Sequence, residues 1–194
     1  MQWSQRKAVL AVPLIVLFVS VVGGWTLSRS SDDVDANLTS PGTVQTPTIG
    51  TNAANTGKKF EFVTVTNAAT GEEGMISPAG RYMVINFWFS TCEPCKREMP
   101  ILTSAATRYA NSVDFIGINP NDTSTSAEAF LKKFKITYPT FLDNDGAQVA
   151  AAGVATFPAT FVLNGEGVIV QRFAGEVTKD DLEKVLSTTV GSTS

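Results

Sequence analysis

The residues Tyr82-Met83-Val84-Ile85-Asn86-Phe87-Trp88-Phe89 form a nearly continuous apolar run. A strand with one wet face alternates polar and apolar residues, so an unbroken run suits a strand covered on both faces. The chain must therefore supply two covering layers. Cys92 to about Tyr109 reads as a helix kinked at Pro100, and Val113 to Asn119 as a second strand. Thr125-Ser126-Ala127-Glu128 fits a capping box that opens a helix running to about Lys135, and Tyr138 to Leu142 reads as a short strand. Asn164-Gly165-Glu166-Gly167 marks a hairpin between strands Ala159 to Leu163 and Val168 to Phe173, and Thr178 opens a last helix. Phe60 to Val65 looks like a half-buried strand upstream. Alternating strands and helices closed by a hairpin and a helix predict an α/β fold of three layers, α/β/α, around a central mixed sheet.

Composition removes several chemistries. The chain has 194 residues and no histidine, which excludes Ser-His-Asp and Cys-His catalysis, His-ligated metal sites and Cys-x-x-Cys-His haem attachment. A net charge of -3, from 15 basic and 18 acidic residues, argues against nucleic acid, because phosphate binding needs clustered cations. No metal or cofactor is expected. What remains is thiol, carboxylate and hydroxyl chemistry, or surface shape.

The N-terminal part is organised differently. Ala8 to Ser28 carries no charge, includes the apolar run Ala8 to Val22, and follows Arg6 and Lys7. That length suffices for one crossing of a bilayer, and the basic flank keeps the N-terminus inside. A cleaved signal peptide is the rival reading, since small residues Gly23-Gly24 follow the run, although no Ala-x-Ala site is present. The expectation is a retained anchor over residues 1–31, in the cell membrane as a single pass with the C-terminal domain extracytoplasmic. Residues 32–59, rich in Ser, Thr, Asn, Gly, Pro and Asp, read as a flexible linker. Residues 60–190 form the folded domain and 191–194 a tail.

Cys92 and Cys95 are the chain's two cysteines, three positions apart where an apolar strand passes into a helix. Three readings compete. A structural staple closing so short a loop contributes only about 2 kcal/mol by chain entropy. A structural metal site wants four ligands and finds two. A redox dithiol suits the placement, because the free N–H groups and positive dipole end of a helix stabilise a thiolate on the first cysteine while the second lies one turn along.

The segment Asn86-Phe87-Trp88-Phe89-Ser90-Thr91-Cys92-Glu93-Pro94-Cys95-Lys96-Arg97-Glu98-Met99-Pro100 resembles the active-site stretch of thioredoxin-like proteins, and more narrowly the membrane-anchored, extracytoplasmic TlpA/ResA/CcmG branch. Thr156-Phe157-Pro158-Ala159-Thr160-Phe161 is similar to the cis-proline loop of the same family. The forty or so residues between Asn119 and Pro158 resemble the branch's extra helix-strand insertion. The resemblance implies a thiol-disulfide oxidoreductase in which Cys92 attacks, Cys95 resolves, Pro158 sits opposite them and Glu98 handles protons. It further implies a substrate surface of Phe157, Glu93, Pro94 and Trp88, with Trp88 and its neighbours also fitting plain core packing. On the residues alone, a solvated Glu98 is an equal alternative. Two departures stand out: Asn86 replaces the buried aspartate of thioredoxin, and Thr91 stands where Trp often precedes the first cysteine.

Negative charge near Cys92 from Glu93 and Glu98, partly countered by Lys96 and Arg97, disfavours its thiolate and predicts a reducing dithiol. Glu-Pro between the cysteines resembles reductants that keep apocytochrome c thiols ready for haem. The implied partners are proteins with cysteine pairs and an integral-membrane thiol transporter as electron donor. A disulfide-forming oxidase and a non-redox binding module are the alternatives.

Overall fold

A computed structural model describes residues 55–191. The expected anchor and most of the expected linker lie outside the described residues. Among the described residues no helix is long and apolar enough to cross a membrane.

Seven strands form one mixed sheet: β1 (Thr64–Asn67), β2 (Glu73–Met75), β3 (Tyr82–Phe87), β4 (Val113–Asn119), β5 (Thr140–Leu142), β6 (Ala159–Leu163) and β7 (Ile169–Ala174), in the order β2-β1-β5-β4-β3-β6-β7. Among the described residues four helices accompany them: α1 (Glu93–Arg108), α2 (Ser124–Lys133), α3 (Ala147–Ala151) and α4 (Lys179–Gly191). β3, β4 and β5 are parallel, while β6 and β7 return antiparallel beside β3. Because β3-α1-β4 and β4-α2-β5 step the same way across the sheet, right-handed crossovers put α1 and α2 on the same face.

The apolar run behaves as its composition requires. Val84 and Trp88 enter the core shared with α1, α2 and α4, whereas Met83, Ile85 and Phe87 enter the opposite core with Phe60, Ala152 and Val154. Period-2 alternation thus feeds two apolar layers from one strand. On α1 the buried positions are Cys95, Glu98, Met99, Leu102 and Ala105, the 3–4 spacing of one helical face. Pro100 lies on the exposed side, and α1 continues through it as a single element.

Several boundaries differ from the sequence expectation. Phe60 to Val63 is not strand; β1 begins at Thr64. The segment before it is instead tied to the hairpin, with Lys59 bridging Val168 and the Gly57 N–H donating to the Ile169 carbonyl at 2.8 Å. Helix α2 is capped by Thr123, whose hydroxyl accepts the Ser126 N–H, so the Thr125 capping box does not form. β5 starts at Thr140 rather than Tyr138. The hairpin forms as expected. Asn164 Oδ1 accepts the N–H groups of Glu166 and Val168, and Gly167 takes a φ of 79°, where a side chain would be strained.

Candidate active site

β3 ends at Phe87, and the chain turns through Phe89-Ser90-Thr91 before α1 begins. The turn is closed by the Cys92 N–H donating to the Phe89 carbonyl at 3.1 Å. Cys92 is the N-cap of α1, in extended conformation, with Pro94 in the first turn where its missing N–H costs nothing. Its Sγ accepts the Cys95 N–H at 3.2 Å, so the sulfur sits among the unpaired donors of the helix start. Cys92 and Cys95 form a disulfide. Cys95 is 0% exposed and Cys92 6%, so of the two residues only Cys92 reaches solvent.

Glu98 is buried, which removes the alternative of a solvated surface carboxylate. One turn past Cys95 on the inner face of α1, its Oε1 accepts from Asn86 Nδ2 at 2.7 Å and its Oε2 from the Val177 N–H at 3.0 Å. Asn86 and Thr160 are register partners on β3 and β6, so their side chains meet on the face under α1, and Asn86 Nδ2 also donates to Thr160 Oγ1 at 3.0 Å. Burial pushes the Glu98 carboxyl up to about 7, against the two hydrogen bonds that favour its ionised form. Its proton is therefore exchangeable near neutral pH.

The remaining expected residues divide. Glu93 is exposed and paired with Lys96, whose hydrogen bond and charge hold the Glu93 carboxyl below its usual range. Arg97 is likewise paired, with Glu176 at 2.7 Å. The peptide bond between Phe157 and Pro158 is cis. Because Phe87 pairs with Ala159, this bond lies at the end of the sheet that carries Cys92, and the Phe157 ring meets Phe89 edge-on at 5.3 Å. Phe157 and Pro94 are half-buried and Pro158 is buried. Trp88 is a correction. It is 0% exposed and stacked on Phe130 at 4.4 Å, so it belongs to the core and offers no surface to a substrate.

Sequence reasoning missed the residues that hold these from a distance. Asp122, after β4, accepts both the N–H and the hydroxyl of Ser90. Val177, before α4, gives its N–H to Glu98, and the Gly175 N–H two residues earlier donates to the Pro158 carbonyl at 2.8 Å. The turn-forming Asn119-Pro120-Asn121-Asp122 was a visible signal of local structure, but its partner Ser90 lies 32 positions away. The described residues contain no group of three or more His, Cys, Asp or Glu side chains placed to hold a metal ion.

Comparison with known proteins agrees with this geometry. Thiol-disulfide oxidoreductase ResA of Bacillus thuringiensis subsp. konkukian is 30% identical over 108 residues, which is 55% of this chain and 62% of that relative's length. Thioredoxin-like protein YneN of Bacillus subtilis is 30% identical over 121 residues, 60% of this chain and 71% of the relative. The crystal structure of StoA from Bacillus subtilis superposes with a TM-score of 0.55 at 28% identity, covering 64% of this chain and 96% of StoA. The Redoxin family profile matches residues 55–186, spanning the whole sheet, the cis-proline loop and both cysteines, and the chain belongs to that thioredoxin-like family.

Proposed function

We propose that this chain is a thiol-disulfide oxidoreductase that acts as an extracytoplasmic reductant of protein disulfides. One observation carries the reading: a Cys92–Cys95 disulfide at the N-terminus of α1, with only Cys92 reaching solvent. In the reduced state the Cys92 thiolate attacks one sulfur of a partner disulfide. A mixed disulfide forms, and the partner's other sulfur leaves as a thiolate. Cys95 gives up its proton and attacks the Cys92 sulfur. The second partner sulfur is released, and the chain is left with its own disulfide. Two electrons have passed to the partner. Glu98 is the group proposed to take the Cys95 proton, supported by its position one turn along and its carboxyl at about 7. Pro158 and Phe157 are proposed to border the partner peptide, with Glu93 and Pro94 on the facing side.

The reducing direction rests on negative charge about the dithiol and on Glu93-Pro94 between the cysteines, which resembles reductants that keep apocytochrome c thiols ready for haem. By the same analogy, apocytochrome c thiols are the proposed substrate and an integral-membrane thiol transporter the proposed electron donor. The extracytoplasmic location and membrane attachment rest on the apolar segment after Arg6 and Lys7. The Cys95 N–H on Cys92 Sγ favours a thiolate, and so supports a second reading, an oxidase. Equilibration with glutathione decides between them. A reductant has a potential well below the roughly -120 mV of strong periplasmic oxidants, and a value near that figure selects the oxidase. Dithiol-dependent insulin reduction that disappears in Cys92→Ser excludes a binding module; turnover by that variant contradicts the mechanism.

A further inference from the structure

The turn that delivers Cys92 is held from outside its own helix. Ser90, one of its two central residues, is gripped twice by Asp122: its N–H donates to Oδ2 at 2.7 Å and its hydroxyl to Oδ1 at 2.6 Å. Asn119 fixes Asp122 in turn, donating from Nδ2 to Oδ2 at 2.7 Å and accepting the Asp122 N–H at 2.9 Å. Asp122 is 8% exposed and Asn119 0%. Three donors converge on this carboxyl, yet none of the ion pairs among the described residues includes it. A buried carboxylate without a cation is costly, and a neutral side chain can tether a turn without that cost. The charge itself therefore has a use, and the residue it grips, Ser90, stands two positions before the attacking Cys92 in sequence.

We propose that Asp122 is a positioning residue for Cys92: through Ser90 it holds the turn that places the sulfur at the start of α1, and its negative charge keeps the thiol from becoming too acidic. A negative charge near a thiol disfavours the thiolate, and a less stabilised thiolate makes the disulfide harder to reduce. Asp122 thus biases the pair toward the reductant. The other charges about Cys92 lie on α1 itself, before α4 and at the end of α2. Glu93 and Lys96 neutralise each other on α1, Arg97 pairs with Glu176 before α4, Glu98 is buried on the inner face of α1, and Lys133 at the end of α2 is close enough to act on Glu93. None of them is altered in the variants below.

This inference rests on the oxidoreductase reading, and the test separates the two. In the reduced full-length chain, thiolate absorbance is followed against pH, and the equilibrium with glutathione is measured, for wild type, Asp122→Asn and Ser90→Ala. Removing the charge in Asp122→Asn raises the Cys92 thiolate fraction roughly tenfold and shifts the glutathione equilibrium toward the dithiol by about the same factor, about 30 mV. Ser90→Ala keeps the charge and strips one donor from it, so the thiolate fraction falls severalfold. General loosening of the turn moves both variants the same way. Shifts of one sign, or wild-type titration in folded variants, overturn the proposal. If Asp122→Asn fails to fold, Ser90→Ala decides alone: a fall supports the proposal, and no change or a rise contradicts it. Wild-type insulin turnover is measured alongside. Its absence, with opposed shifts in the variants, defeats the oxidoreductase reading and leaves the Asp122 role standing.

Discussion

Glu98 is the residue whose chemistry can be read most directly as stability. Its carboxyl rises from an ordinary 4.5 to about 7 on folding, because burial outweighs the bonds from Asn86 and Val177. Below pH 4.5 both folded and unfolded chains hold this proton. Between 4.5 and about 7 the unfolded chain releases it while the folded chain keeps it, so stability falls with rising pH and levels off above the folded value. At about 1.36 kcal/mol per pKa unit, the loss is on the order of 3 kcal/mol. Urea midpoints at pH 5 and pH 8 should therefore separate for the wild type and draw together for Glu98→Gln; parallel pH profiles would contradict the assignment. Asn86 Oδ1 is buried without a hydrogen-bond partner. An amide turned over at Asn86 presents that oxygen to a protonated Glu98, so the pocket can hold the neutral acid as well as the anion.

At the scale of elements, the close approach of β4 to the tryptophan beneath α2 is a sharp constraint. A Cβ at Gly117 would lie 2.7 Å from Trp88 Nε1 and 2.9 Å from Thr140 Oγ1. Gly117→Ala is expected to destabilise by about 1–3 kcal/mol through overpacking, read as a lower urea midpoint with unchanged slope. An unchanged midpoint would mean that the indole moves freely. Helix α2 gives a paired test of its start. Thr123→Ala should cost about 1 kcal/mol as the loss of a cap, while the exposed Thr125→Ala should stay within about 0.5 kcal/mol. The reverse order would restore the capping box at Thr125.

Those two threonines show where local sequence stops being sufficient. β3, α1, β4 and the β6–β7 hairpin were legible because each carries its own signal: an unbroken apolar run, a 3–4 spacing, a turn sequence. α2 was found but entered two residues late, since Thr123 and Thr125 both precede acceptable helix starts and only the fold selects one. β2, three exposed residues, and α3, five residues entered through Gly146, are too short to show a period. Cys92, Cys95 and the cis-proline loop were legible as motifs. The burial of Trp88 was not decided by the motif, because its stack on Phe130 joins β3 to α2 across 42 positions.

Over the whole molecule, the site is assembled from four distant stretches. Cys92 and Glu98 come with α1, Pro158 with the approach to β6, Asp122 with the exit from β4, and Val177 with the approach to α4. The parallel order of β3 and β4, with β6 antiparallel to β3, brings the first three to one end of the sheet. Such convergence follows from strand order, which no single segment encodes. The apolar segment after Arg6 and Lys7 adds a proposal at the same scale: the full-length chain should fractionate with membranes, and a chain lacking residues 1–31 should not. Equal recovery of both in the soluble fraction would remove the anchor.

The most direct test of the dithiol is capture. With Cys95→Ala the resolving sulfur is gone, so Cys92 should accumulate mixed disulfides with thiol partners, while Cys92→Ala should accumulate none because Cys95 is sealed in the core. Equal capture by the two variants, or capture through Cys95 alone, would contradict the assignment of Cys92 as the attacking sulfur.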